Sequence, residues 1–96
     1  MFVVIISFPR IKDGKDAKFR EWFDESNQAF LGFQGFKSRK LLKPLESGNY
    51  AAIVEFENQA AFKAMHSSSI HDKEGEQVRP MFDDKPTPTF YEVISG

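Results

Sequence analysis

The sequence predicts an α+β fold of the ferredoxin-like kind, a βαββαβ sandwich with helices on one face of a single antiparallel sheet. Three observations point to it. Apolar periodicity alternates between the strand and helix repeats in the order strand, helix, strand, strand, helix, strand. A length of 96 residues leaves room for one core, so residues 1–96 are expected to form a single domain. Aromatic rings supply most of that core's bulk: 11 Phe, 1 Trp and 2 Tyr, against Leu only at positions 31, 41, 42 and 45. Phenylalanine needs no hydrogen-bond partner when buried.

The first strand is Phe2 to Phe8, β-branched and aromatic, and ended by Pro9. Phe2, Val4, Ile6 and Phe8 alternate with Val3 and Ile5, so both faces of the strand are apolar. Helices on one side of the sheet cover only one of those faces, and an apolar face left in water marks an interface. A homodimer with sheets packed face to face is therefore expected. Pro9 to Gly14 is a turn that opens onto a helix over Lys15 to Leu31. Phe19, Trp22, Phe23, Ser26 and Phe30 form one stripe of that helix, Asp16 and Arg20 an i,i+4 pair on its outer face, and Gly32 its stop.

Phe36 to Lys43 reads as the second strand, with Phe36, Ser38, Lys40 and Leu42 on one side and Lys37, Arg39 and Leu41 on the other. A hairpin connection, Lys43 to Asn49, leads into a central antiparallel strand in which Tyr50, Ala52, Val54 and Phe56 alternate with Ala51, Ile53, Glu55 and Glu57. Asn58 is a good N-cap for the second helix, which falters at Ser67-Ser68-Ser69. A further short helix over Ile70 to Arg79 precedes Pro80, and the last strand is Phe90 to Ile94, made an edge or an arm by Pro86 and Pro88.

Charge excludes several functions. Thirteen Lys and Arg against 14 Asp and Glu leave a net charge of -1, with no field to draw the chain onto nucleic acid or an anionic membrane. No Cys is present, which removes disulfides, thiolate nucleophiles and cysteine metal sites. The apolar run Met1 to Ile6 is too short to span a bilayer and lacks a basic leader, so a cytoplasmic location is expected. Dinucleotide fingerprint, P-loop and serine-histidine-acid order are all missing.

Phe8-Pro9-Arg10-Ile11-Lys12-Asp13-Gly14-Lys15, then Phe19 and Trp22-Phe23, Gly35-Phe36 with Arg39, Val54-Glu55-Phe56-Glu57, Phe62 to His66 and His71, and finally Phe90-Tyr91-Glu92-Val93 resemble the antibiotic biosynthesis monooxygenase domain family over nearly the whole chain. The resemblance implies a dimeric α+β barrel built from two ferredoxin-like protomers, with a small-molecule pocket in each. It also implies oxidation of polycyclic aromatic phenols or quinols without metal or flavin, so no cofactor is expected. The heme-degrading branch of the family uses an Asn late in the first strand, a Trp in the second helical region and a His about ten residues later. Ser7, His66 and Glu76 stand at those positions, so heme binding and degradation is the disfavoured reading.

Candidate chemistry rests on few residues. His66 and His71 are the only histidines; an imidazole titrates near neutral pH and can accept a phenolic proton. On one continuous helix they would point ~140° apart, so they meet only if the chain breaks at the serines between them. The plainer reading is a helix-end histidine bonded to backbone. Two histidines without a nearby third ligand are a weak signal for a metal. Trp22 and Phe23 are candidates for the wall of an aromatic pocket, with the indole N–H as its polar contact, although core is the commoner role for such residues. Asn27 can orient a carbonyl or dioxygen, or simply sit solvated beside the stripe. Arg39 either pairs with Glu55 or Glu92 across the sheet or, unpaired, grips a phenolate or carboxylate with its planar fork. The function expected is a cofactor-independent monooxygenase acting on an apolar or aromatic small molecule, the alternative being a binding or detoxification module of the same fold.

Overall fold

A computed structural model describes residues 1–96. Four strands and three helices follow the expected order: β1 (Phe2–Ser7), α1 (Asp16–Phe30), β2 (Phe36–Leu42), β3 (Ala51–Phe56), α2 (Gln59–His66), α3 (Ser69–Val78) and β4 (Thr87–Glu92), with a single 3₁₀ turn at Arg79–Met81. All pairings are antiparallel and the sheet order is β2-β3-β1-β4, the ferredoxin-like arrangement in which the central strands come from opposite halves of the chain.

The register explains which residues face the helices. Val4 lies between Val54 and Phe90, and Ile6 between Ala52 and Pro88, and this face carries the fully buried Val4, Ala52 and Phe56. The opposite face holds Val3, Ile5, Ile53 and Tyr91, with no helix over it. One expectation about β2 is corrected. Strict alternation put Phe36 with Ser38, but a bulge sets Phe36 opposite Phe56 and Ser38 opposite Glu55, leaving Lys37 as the extra residue. Phe36 therefore turns inward, its ring edge-on to Phe56 at 5.5 Å, on the same side as Arg39 and Leu41.

β4 begins three residues earlier than expected and takes in Pro88. Its place at the sheet edge makes that possible, since an edge strand has a side from which no ladder donor is required. The second helical segment breaks at the serines. Asn58 caps α2 by accepting the Ala61 N–H at 2.9 Å, and Ser68 caps α3 by accepting the His71 N–H at 3.1 Å. Gly75 does not interrupt α3.

The core falls into two clusters, one around Phe8, Phe19, Trp22 and Phe82, the other around Val4, Phe30, Phe56 and Phe62. Between them the helices do not close fully on the sheet.

Candidate functional site

The gap between the clusters is a cavity of about 510 Å³. Val4, Ile6 and Val54 form its floor on the sheet, Trp22 and Phe30 its α1 wall, and Phe62, Met65 and His66 its α2 wall. β4 forms the open side: Phe90 points toward the cavity yet keeps 54% of its surface exposed. Trp22, Arg39, His66, His71 and Glu74 bring polarity to this largely apolar space from α1, β2, α2 and α3, and Arg79, Asp84 and Lys85 also line it.

The break at the serines brings the two histidines together. Their ring centroids lie 4.4 Å apart. Phe30 stacks on His71 at 6.3 Å and Phe62 leans on His66 at 5.5 Å, so the imidazoles bridge the α1 and α2 walls. His66 is exposed and His71 half-buried. Burial, then the nearby His66, pushes the His71 pKa below the ordinary imidazole value against a smaller opposing pull from Asp72. At neutral pH His71 is therefore an uncharged base. No group of three or more His, Asp or Glu side chains is arranged to hold a metal ion.

Arg39 enters from β2 and is mostly buried, on the helix side of the sheet opposite Val54. The proposed partners Glu55 and Glu92 are not available to it: Glu55 lies beside Ser38 on the other face, and Glu92 pairs with Phe2 on the far edge strand. Instead Nη1 donates to Ser26 Oγ at 2.6 Å, to Asn27 Oδ1 at 2.8 Å and, at a longer 3.4 Å, to the Phe23 carbonyl. The guanidinium rests on the Phe23 ring, 4.0 Å from its centroid. Burial lowers its pKa to about 10, partly countered by the negative charge of Glu74, so it stays cationic at neutral pH.

Two expected site residues thus take a different role. Phe23 is 2% exposed and lies beneath Arg39, off the cavity wall. Asn27 is not solvated beside the stripe: it also donates Nδ2–H to the Arg39 backbone oxygen at 3.1 Å, so it holds Arg39 from both ends. Trp22 does line the cavity, but its indole N–H is already given to the Glu74 backbone oxygen at 3.0 Å and offers a ligand only its ring. Glu74 and Ser26 received no role from the sequence. Glu74 follows His71 by three residues on α3 and so shares its face, a spacing that marks it once the helix is known to start at Ser69. Ser26 is the sole polar member of the α1 stripe and is fully buried, donating to the Phe23 carbonyl at 2.8 Å while accepting from Arg39.

An open ferredoxin-like sheet with an apolar, cation-bearing cavity under its helices defines a small-molecule site in which polar groups are few and fixed. The antibiotic biosynthesis monooxygenase family model matches residues 1–74, and the chain belongs to that family. Among solved structures the chain is similar to SnoaB, a cofactor-independent oxygenase from Streptomyces nogalater, at 17% identity and a TM-score of 0.78 over 99% of this chain and 92% of that one. It is similar to Rv0793 from Mycobacterium tuberculosis at 15% identity and a TM-score of 0.79, covering 99% and 95% of the two chains. MhuD, a heme-degrader from Mycobacterium tuberculosis with two hemes bound in its active site, matches at 20% identity and a TM-score of 0.78, covering 100% of this chain and 98% of that one. At these identities the likeness is one of fold. No curated protein matches the chain in sequence.

Proposed function

We propose that the cavity binds a planar aromatic phenol or quinol and presents it to dioxygen, as a cofactor-independent monooxygenase. The observation that carries this reading is the presence, in one largely apolar cavity, of a neutral imidazole base and a mostly buried arginine that has no carboxylate in contact. His71, with His66 against it, takes the ring hydroxyl proton. Arg39 holds the oxyanion that remains, in a low-dielectric site where that attraction is strong. The electron-rich ring then reduces dioxygen itself. Conversion of an activated ring methylene to a carbonyl, with the second oxygen atom leaving as water, balances without an outside reductant. The protein supplies proximity, a dry wall and fixed charge.

The heme-degrading pattern of the family is not retained here. Of the three positions that correspond to the heme-degrading pattern, only His66 lines the cavity; Ser7 lies on the outer face of the sheet, and Glu76 is exposed on α3.

The outer sheet face, where Ile5 and Ile53 are half-buried and Tyr91 is exposed with no helix over them, calls for a second copy of the chain, and we read the working form as a cytoplasmic homodimer. No helix is long and apolar enough to cross a membrane. Light scattering at micromolar concentration tests the dimer, and a monomer removes it. Oxygen uptake with a panel of quinols and anthrones tests the activity. Uptake that is unchanged in both His66→Ala and His71→Ala ends the histidine role; binding without any uptake leaves a binding module of the same fold.

A further inference from the structure

Two opposite charges face the cavity without meeting. Arg39 reaches it from β2 and Glu74 from α3, yet no guanidinium nitrogen comes within 4.0 Å of the Glu74 carboxylate. All three side-chain hydrogen bonds of Arg39 leave from Nη1, so Nε and Nη2 have no protein acceptor, and neither is sealed from solvent. Glu74 Oε2 is the reverse case. It is cut off from solvent and receives no donor, the one buried side-chain polar atom in the protein left so. Buried acceptors without donors are costly and few in native proteins. A turn of the carboxylate about its soft terminal torsion presents it to a donor carried by whatever fills the cavity.

Trp22 holds the two walls in register. Its indole N–H is bonded to the Glu74 backbone at 3.0 Å, and the Arg39 guanidinium stands 5.4 Å from the indole ring centre. The position of Glu74 relative to Arg39 is thereby set by α1, the element that also fixes Arg39 through Ser26 and Asn27.

We propose that Arg39 and Glu74 are a hydroxyl-reading pair: one ligand hydroxyl donates to the Glu74 carboxylate and accepts from Nε or Nη2 of Arg39. This rests on the aromatic occupant proposed above and deepens it, by naming the pair that orients the ring and selects against its ethers. A methyl ether still accepts from Arg39, but it leaves Glu74 without a donor and adds a methyl group in the gap. A bare ring satisfies neither residue. A site built around a hydroxyl rejects the analogue lacking it far more strongly than an apolar pocket rejects a change of size.

The test is an NMR titration of the ¹⁵N-labelled protein with 2-naphthol, 2-methoxynaphthalene and naphthalene, following the Trp22 indole N–H, the only indole in the chain. The wild type is expected to bind 2-naphthol about tenfold or more tightly than its methyl ether, as suits a hydrogen bond to a charged acceptor. In Glu74→Met that preference falls to within about twofold, while Glu74→Gln, which keeps an uncharged acceptor, retains part of it. The Gln variant also guards against a Met variant that fails to fold. Equal wild-type affinity for naphthol and methyl ether, or an undiminished preference in both variants, overturns the pair while leaving the aromatic pocket standing. Failure of all three compounds to bind overturns the pocket reading and the pair with it.

Discussion

Arg39→Met separates a residue kept for binding from one kept for stability. The substitution removes a buried charge and leaves a shorter, unbranched apolar chain beside the Phe23 ring. Burial holds the Arg39 pKa at about 10, well below its ordinary value, so the charged form is disfavoured by about 3 kcal/mol in the folded protein. Met relieves that cost. What is lost is two good hydrogen bonds, at 2.6 and 2.8 Å, and one long one at 3.4 Å, together on the order of 3–5 kcal/mol when the donor is charged. The acceptors do not all become orphans. Ser26 keeps its bond to the Phe23 carbonyl, and Asn27 keeps its bond to the backbone oxygen of residue 39, so only Asn27 Oδ1 loses its sole partner. The terms nearly cancel, and the variant is expected within about 2 kcal/mol of wild type. Urea unfolding followed by Trp22 fluorescence and far-UV circular dichroism measures this. Over the same substitution, affinity for a phenolic ligand should drop about tenfold or more. A loss of stability beyond about 4 kcal/mol would show Arg39 to be a structural keystone whose burial is repaid by the fold. Unchanged ligand affinity would refute its place as the site cation.

Phe19→Ala empties a position that is fully buried between Phe8, 5.0 Å away edge-on, and the Tyr50 ring at 5.2 Å; it should cost about 3–5 kcal/mol in urea unfolding, and a cost under about 1 kcal/mol contradicts the packing described. Gly35→Ala is expected to lose more than about 1 kcal/mol, because Gly35 sits at φ +82° and a Cβ there would stand 2.7 Å from Ala61 Cβ. A wild-type melting temperature for that variant would deny the close approach of the β2 start to α2. His71 binds its proton less readily folded than unfolded, so in the window from its depressed folded value up to about 6.5 the unfolded chain holds more protons. Its contribution to stability is therefore complete above that window and is lost as pH falls through it. His71→Gln should flatten the stability slope between about pH 7 and 5, and an unaltered slope refutes the burial of the ring.

Much of this architecture is legible in the sequence. The α1 stripe of Phe19, Trp22, Phe23, Ser26 and Phe30 is the buried face of the helix, because a helix repeats its face every three to four residues whatever it packs on. Asn58 caps α2 and the serine run ends it, since capping is decided within a few residues. The site is another matter. Lys37 at the bulge changes which residues of β2 share a face, and the loss of partnership between Arg39 and Glu55 follows from pairing register. Alternation alone does not reveal it. Asn27 looks like a surface residue on a helical wheel and becomes the holder of Arg39 only because β2 lies beneath α1.

Local chemistry, then, decides that this chain is a βαββαβ sandwich rich in rings, because periodicity, caps and turns act over distances shorter than one element. It also places two histidines at the end of a faltering helix. That their rings meet at 4.4 Å, that a lone arginine is buried on Ser26 and Asn27, and that Glu74 is left without a donor beside the same cavity are matters of tertiary structure. The last two depend on elements far apart in the chain arriving at one place, and the first on the angle at which the chain turns between α2 and α3. The energy of a buried charge is set by what surrounds it in space, whereas a strand or a helix is largely set by its neighbours in sequence.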